Sequence, residues 1–102
     1  MAELPLEFHP GARTDAIEAY DWYAERSPTA AHALLEELVN AGFAIQRTPE
    51  FWARYSFGTR RYLMKRFPFV VIYRVAADRI EILAVAHGRR RPEYWKDRLK
   101  PG

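Results

Sequence analysis

The chain has 102 residues, which predicts one domain rather than two. At 49% hydrophobic and 15% aromatic it argues against intrinsic disorder, and the absence of cysteine excludes disulfides, thiolate metal sites and a cysteine nucleophile. The net charge of +3 conceals an uneven distribution: residues 1–57 carry 4 basic and 9 acidic side chains, residues 58–102 carry 12 basic and 4 acidic. A split of this size points to an anionic partner for the C-terminal half.

From Met1 to Pro5 there is neither a basic n-region nor an apolar run, so no signal peptide is expected. The longest apolar run, Phe67 to Tyr73, is far short of the roughly 20 residues a membrane helix needs. A soluble, cytoplasmic protein without a membrane partner is the expectation, and cysteine usage fits a reducing compartment.

Leu4, Leu6 and Phe8 alternate with Pro5 and Glu7, which predicts a short strand near a sheet edge. His9-Pro10-Gly11 breaks it. Ala12, Ala16, Ala19, Tyr20 and Tyr23 recur at helical spacing and predict a helix over 11–26. Ser27-Pro28 then makes a good helix start, because the hydroxyl accepts an orphan N–H and proline loses nothing at the first helical position. Ala31, Leu34, Leu35, Leu38, Ala41, Gly42 and Ile45 form one apolar stripe, predicting a second helix over 28–47. Glu36 and Glu37 lie off that stripe and are expected to be solvated. So short a connection favours an antiparallel helical hairpin.

Thr48-Pro49 ends the hairpin, and the four aromatics of residues 50–57 predict a loop that packs down. Residues 59–66, 69–75 and 79–87 are rich in β-branched and aromatic types and predict three strands joined by tight turns. The last two are apolar on both parities, so both sheet faces should be at least partly covered. The order β-α-α-β-β-β predicts an α+β two-layer sandwich, a helical hairpin on a mainly antiparallel sheet. Residues 92–99 offer a short helical tail to the single domain 1–102.

Metal chemistry has little support. His9, His32 and His87 are scattered without a second ligand at i+4, and no Gly-rich phosphate loop exists, so neither metal nor cofactor is expected. The basic set says more. Arg60, Arg61, Lys65 and Arg66 lie on or beside one strand, while Arg89, Arg90, Arg91, Lys96 and Arg98 follow the last. Guanidinium forks suit phosphate, and Tyr62, Tyr94 and Trp95 interleave as faces for unpaired bases. The alternative is a solubilising arginine surface.

His87 stands beside this cluster. Cleavage of RNA through its own 2′-hydroxyl needs a base, an acid and cations, which His87, Tyr94 and Arg61 or Arg66 would supply. Glu50 or Glu81 would have to arrive through the fold, and Glu81 shares strand parity with His87. The plainer alternative is a histidine that bonds locally and orients the Gly88 turn. Trp22 and Tyr23 diverge by about 100° on a helix. They read either as core packing or as an aromatic anchor for a partner protein.

In order, Phe8-His9-Pro10-x-Ala12, Glu18-Ala19-Tyr20-x-Trp22-Tyr23, Gly58-x-Arg60-Arg61, Arg66-Phe67-Pro68-Phe69-Val70-Val71-Ile72-Tyr73, Ile82-Leu83-Ala84-Val85-Ala86-His87-Gly88-x-Arg90 and Pro92-x-Tyr94-Trp95-x-x-Arg98 resemble the RelE/ParE superfamily of toxins. The resemblance spans nearly the whole chain. It implies the sandwich fold, a type II toxin–antitoxin module, and a hetero-oligomer with a cognate antitoxin. It also implies one of two activities: ParE-like binding of DNA gyrase without catalysis, or RelE-like cleavage of mRNA on the ribosome. Residues 11–47 hold three arginines, Arg13, Arg26 and Arg47, and no lysine. Helices so poor in basic residues look more ParE-like, which leaves an enzymatic role as the alternative. The antitoxin's acidic and apolar segment is expected over the basic sheet edge or the hairpin groove.

Overall fold

A computed structural model describes residues 3–99. Among them the order is β1 (Leu6–Phe8), α1 (Pro10–Arg26), α2 (Pro28–Arg47), β2 (Ala53–Arg54), β3 (Arg60–Leu63), β4 (Phe69–Val75) and β5 (Ile80–His87), with single 3-10 turns at Ser56–Gly58 and Lys96–Leu99. The strands form one sheet in the order β1-β5-β4-β3-β2. The β1 strand runs parallel to β5; every other pair is antiparallel. This is the expected sandwich, to which the expected loop 50–57 adds a fifth, two-residue strand.

Both helices start on side-chain caps. The His9 imidazole accepts from the Gly11 N–H at 2.9 Å, and the Ser27 hydroxyl accepts from Ala30 at 3.2 Å. Ser27 is also the residue that ends α1, so one position closes one helix and opens the next. The apolar stripe of α2, through Leu34, Ala41 and Ile45, packs with Ala12 and Ala19 of α1 onto Val71, Tyr73, Ile80, Ile82 and Val85 of the sheet. Tyr73 is fully buried there. Burial, opposed by nearby Arg60, pushes its phenol up to about 12, so it stays a donor, to the Pro49 carbonyl at 2.6 Å.

The opposite face carries its own small core of Ile72, Leu83, Ala84 and Trp95, with Tyr55, Val70, Tyr94 and Leu99 around it. The chain's own tail therefore covers much of the face the helices leave bare. A register shift between Ile72 and Tyr73 explains how both faces are served: Tyr73 pairs with Ile82 but Ile72 with Ala84, so Leu83 is the extra residue of a bulge. The bulge reverses parity. Val85 joins Ile82 on the helix face, and Glu81 lies on the other face from His87, against the expectation of shared parity.

Three further expectations are corrected. The loop 50–57 packs down only in part. Trp52 sits edge-on to Tyr62 and donates to the Ala44 carbonyl, whereas Phe51 and Phe57 are exposed. Glu37 is buried rather than solvated. The strand expected over 59–66 ends at Leu63, and the following turn aims the Lys65 and Arg66 backbone N–H groups at the Glu37 carboxylate. A carboxylate that accepts from buried backbone donors is hard to replace. Glu37→Ala should lower unfolding free energy by about 1–3 kcal/mol in urea titrations, while the neighbouring exposed Glu36→Ala stays within about 0.5 kcal/mol of wild type.

Candidate functional site

The β1 ladder on β5 ends at Ile82, whose carbonyl accepts from His9. Beyond it the edge of β5 would expose backbone groups. A carboxylate and a guanidinium take them instead. Asp15 of α1 accepts from the Val85 N–H at 3.1 Å, and Arg98 donates to the Leu83 carbonyl at 2.9 Å. The two are themselves ion-paired at 2.8 Å, both well shielded from solvent. Tyr94 closes the group by donating its phenol to Asp15 at 2.9 Å. Burial and that bond raise the Tyr94 phenol well above the ordinary tyrosine range, with Arg98 and Arg90 opposing. Burial is the largest single influence and works against the Arg98 charge, but the hydrogen bonds and charges of Asp15 and Tyr94 together outweigh it and raise the Arg98 pKa. Gly11 leaves the room required: a Cβ there would meet the Arg98 guanidinium at 2.5 Å.

This clasp accounts for Arg98 and Tyr94, both proposed from sequence as anion-facing or catalytic groups. Arg98 spends its fork on Asp15, and the Tyr94 proton is committed to the same carboxylate. Trp95 is 2% exposed and packs in the second core, so it offers no free face. Asp15 itself was not singled out from sequence, since its partners lie 70 to 83 residues away.

The remaining cations divide. Arg60 donates to the Trp52 carbonyl, and Arg66 lies 3.6 Å from Glu37. Lys65 is exposed, as is Arg89, whose N–H donates to His87 Nδ1 at 3.0 Å. Arg61, Arg90 and Arg91 come together around a cleft of about 240 Å3 beside the second-face core, and His87, at the end of β5, borders both this cleft and a cavity on the helix face that Arg90 also lines. His87 bonds as the plainer alternative had it. Its Nδ1 accepts from Arg89 and its ring meets Phe69 edge-on at 5.1 Å. Glu81, a conceivable partner for it, pairs with Arg74 at 2.8 Å on the other face, and Glu50 is exposed in the loop after α2. Among the described residues no group of His, Asp and Glu is assembled to hold a metal ion.

Trp22 and Tyr23 separate as their helical divergence requires. Trp22 is 51% exposed beneath the Arg26 guanidinium, 3.7 Å away, while Tyr23 packs edge-on against Phe67. A second surface was not read from the sequence as exposed. Ile17 of α1 and Leu35, Val39 and Phe43 of α2 are all about half exposed or more. They line two adjoining apolar grooves of about 280 and 350 Å3 along the hairpin and the β1 edge. Exposed apolar area of this continuity marks a binding surface. Its signal was the width of the α2 stripe, which is broader than one buried face needs.

Comparison with known proteins converges on one family. Residues 6–92 match the model of the ParE toxin of type II toxin–antitoxin systems, parDE. The chain is 32% identical over 88 residues to Toxin ParE2 of Mycobacterium tuberculosis, in both the CDC 1551 and H37Rv strains, across 85% of this chain and 84% of that protein. A solved structure, the chromosomal ParDE TA system from P. aeruginosa, superposes with a TM-score of 0.74 at 25% identity, covering 83% of this chain and 96% of that one.

The clasp has a measurable signature. Removing one partner of a buried ion pair costs about 3–5 kcal/mol, much of it from the charge left behind. Asp15→Asn and Arg98→Met should each fall near that range in denaturant titrations. The double variant should lose well under the sum, and additive losses would show that the two residues act independently.

Proposed function

Because the chain belongs to the ParE toxin family of type II toxin–antitoxin systems, we propose that it arrests growth by binding DNA gyrase and that a cognate antitoxin neutralises it. The observation that carries the gyrase reading over mRNA cleavage is the commitment of Tyr94. An acid serves a leaving oxygen near neutral pH only if its pKa lies near the operating range. The Tyr94 phenol is raised far from that range and already gives its hydrogen bond to Asp15. The other acid–base group, His87, has one ring nitrogen engaged by the Arg89 backbone. Cleavage through the RNA 2′-hydroxyl would need both groups free to exchange protons with the substrate. A protein–protein mechanism needs neither, and it makes use of exposed surfaces such as Trp22 and the apolar hairpin face.

The test is to add purified chain to gyrase and score supercoiling and cleavage-complex formation, while mapping mRNA 5′ ends during induction in cells. Inhibited supercoiling with no new 5′ ends is the expected result, and His87→Gln should arrest growth as the parent does. New 5′ ends that vanish in His87→Gln, with gyrase untouched, would replace this reading with the nuclease.

The antitoxin is assigned to the hairpin face. Leu35, Val39 and Phe43 follow one another at i+4 along α2, the pattern by which an amphipathic segment docks in a groove. Leu35→Glu and Phe43→Glu should weaken co-purification with the antitoxin strongly. Since both residues are half exposed, thermal stability should move little. Unchanged affinity in both variants would place the antitoxin elsewhere, with the basic C-terminal half next to be tested.

A further inference from the structure

Three arginines of the second-face cleft have no ion-pair partner among the described residues, although Glu93 also lines the cleft. Arg61, Arg90 and Arg91 line it with His87. Among the described residues none of these arginines lies within salt-bridge distance of a carboxylate, although Arg66, Arg74, Arg79 and Arg98 each have one. The Arg61 Nε is buried without a hydrogen-bond partner. A buried donor left unmade is costly, so a native structure that keeps one calls for an explanation.

The guanidinium planes are held in place by aromatic rings. Arg61 lies over Tyr55 at 4.8 Å and Arg90 over Tyr94 at 4.0 Å. Tyr94 is in turn fixed by the Asp15 clasp. Forks fixed in this way lose little entropy on engaging a ligand. The two non-glycine residues with positive φ both border this region. Glu93, at φ 60, lines the cleft, and Phe57, at φ 61, sets its ring against Trp95. Such backbone is strained for a residue with a side chain and clusters at ligand sites.

We infer that the cleft of Arg61, Arg90, Arg91 and His87 is a binding site for one compact oxyanion, a phosphoryl or carboxylate group. It is not a track for nucleic-acid bases. Single-strand binding depends on exposed aromatic faces that stack on bases. Here Tyr55 and Tyr94 are capped by guanidinium groups and Trp95 is buried, so the rings orient cations and leave no platform. Forked donors suit phosphate and carboxylate alike, and the Glu93 carboxylate at the rim disfavours surplus negative charge. The site makes no use of the gyrase reading, and its test involves neither gyrase nor antitoxin.

The experiment titrates the full chain at low ionic strength with inorganic phosphate, and separately with a capped glutamyl tripeptide, following arginine Nε–H signals by NMR. Saturable shifts confined to Arg61, Arg90 and Arg91 are expected from at least one probe, and the tighter probe identifies the group the site takes. Arg61→Gln and Arg90→Gln should each weaken binding roughly tenfold or more, while Arg89→Gln leaves it unchanged. Arg61→Lys keeps the charge but not the fork, and should also bind weakly with an unaltered amide spectrum. The inference is overturned if neither probe saturates, if Arg66 and Arg79 shift equally, or if Arg61→Lys binds as the parent does. A poly-deoxythymidine oligomer that binds more tightly than either probe and perturbs the tyrosine ring signals would overturn it in favour of base stacking.

Discussion

The strand β5 lies inside the sheet at one end and at its edge at the other, because β1 contributes only three residues to it. A sheet edge with unpaired backbone groups is either covered or becomes a pairing hazard. Here the cover is a carboxylate on α1 and a guanidinium on the tail, which bond the Val85 N–H and the Leu83 carbonyl as well as each other. That one ion pair sets where the first helix lies against the sheet and where the tail returns. It also fixes Tyr94, and through Tyr94 the plane of Arg90. The pair is expensive to desolvate, and its value lies in satisfying the backbone and selecting one arrangement of three distant segments.

The clasp changes what the basic half of the chain means. Charge arithmetic treats its cations as one feature, yet they have different duties. Arg74 pairs with Glu81 and also donates to the Leu99 carbonyl, so it pins the tail across the second face. Arg79 faces Glu7 and Asp78, and Arg60 holds the Trp52 carbonyl. With Arg98 in the clasp, much of the basicity is structural. Of the cations without an ion pair among the described residues, Arg61 of β3 meets Arg90 and Arg91 of the turn after β5 around one cleft. A cluster in which Arg61 and Arg90 are held against tyrosine rings, with Arg91 beside them, is a more specific device than a basic surface, and it selects ligand geometry as well as sign.

Local pattern made most of the fold legible. The helices of residues 11–26 and 28–47 follow from apolar spacing and from Ser27-Pro28, because helix caps and stripes are properties of neighbouring residues. The strands at 69–75 and 79–87 were equally plain from β-branched and aromatic runs. What stayed hidden depends on contacts across the chain. Glu37 reads as solvated because it lies off the stripe, but its acceptors are used by a turn 28 residues away. Asp15 reads as an ordinary helix-surface residue for the same reason. The bulge at Leu83 leaves no mark on composition, yet it moves Val85 to the helix face and takes Glu81 away from His87. Of the candidate site, the residue types were legible and their availability was not. Nothing local shows that Trp95 is buried or that Arg98 is already paired.

The two unpartnered surfaces lie on opposite sides of the sheet. The hairpin grooves run along the helix layer, and the cation cleft opens over Val70, Ile72 and Trp95 on the other face. A partner seated on the hairpin therefore need not occlude the cleft. The surfaces also differ in kind: one is an apolar pair of grooves along the hairpin, the other a cleft lined by arginines. Apolar contact supplies affinity that persists in salt, whereas attraction to exposed cations weakens beyond the screening length of about 8 Å at physiological ionic strength. Of the two surfaces, the apolar one is the better suited to tight sequestration. The sheet between them is tied at β5 by Asp15 and Arg98, and Tyr94 carries the same clasp to Arg90 beside the cleft, so the first helix and the cleft share one set of contacts.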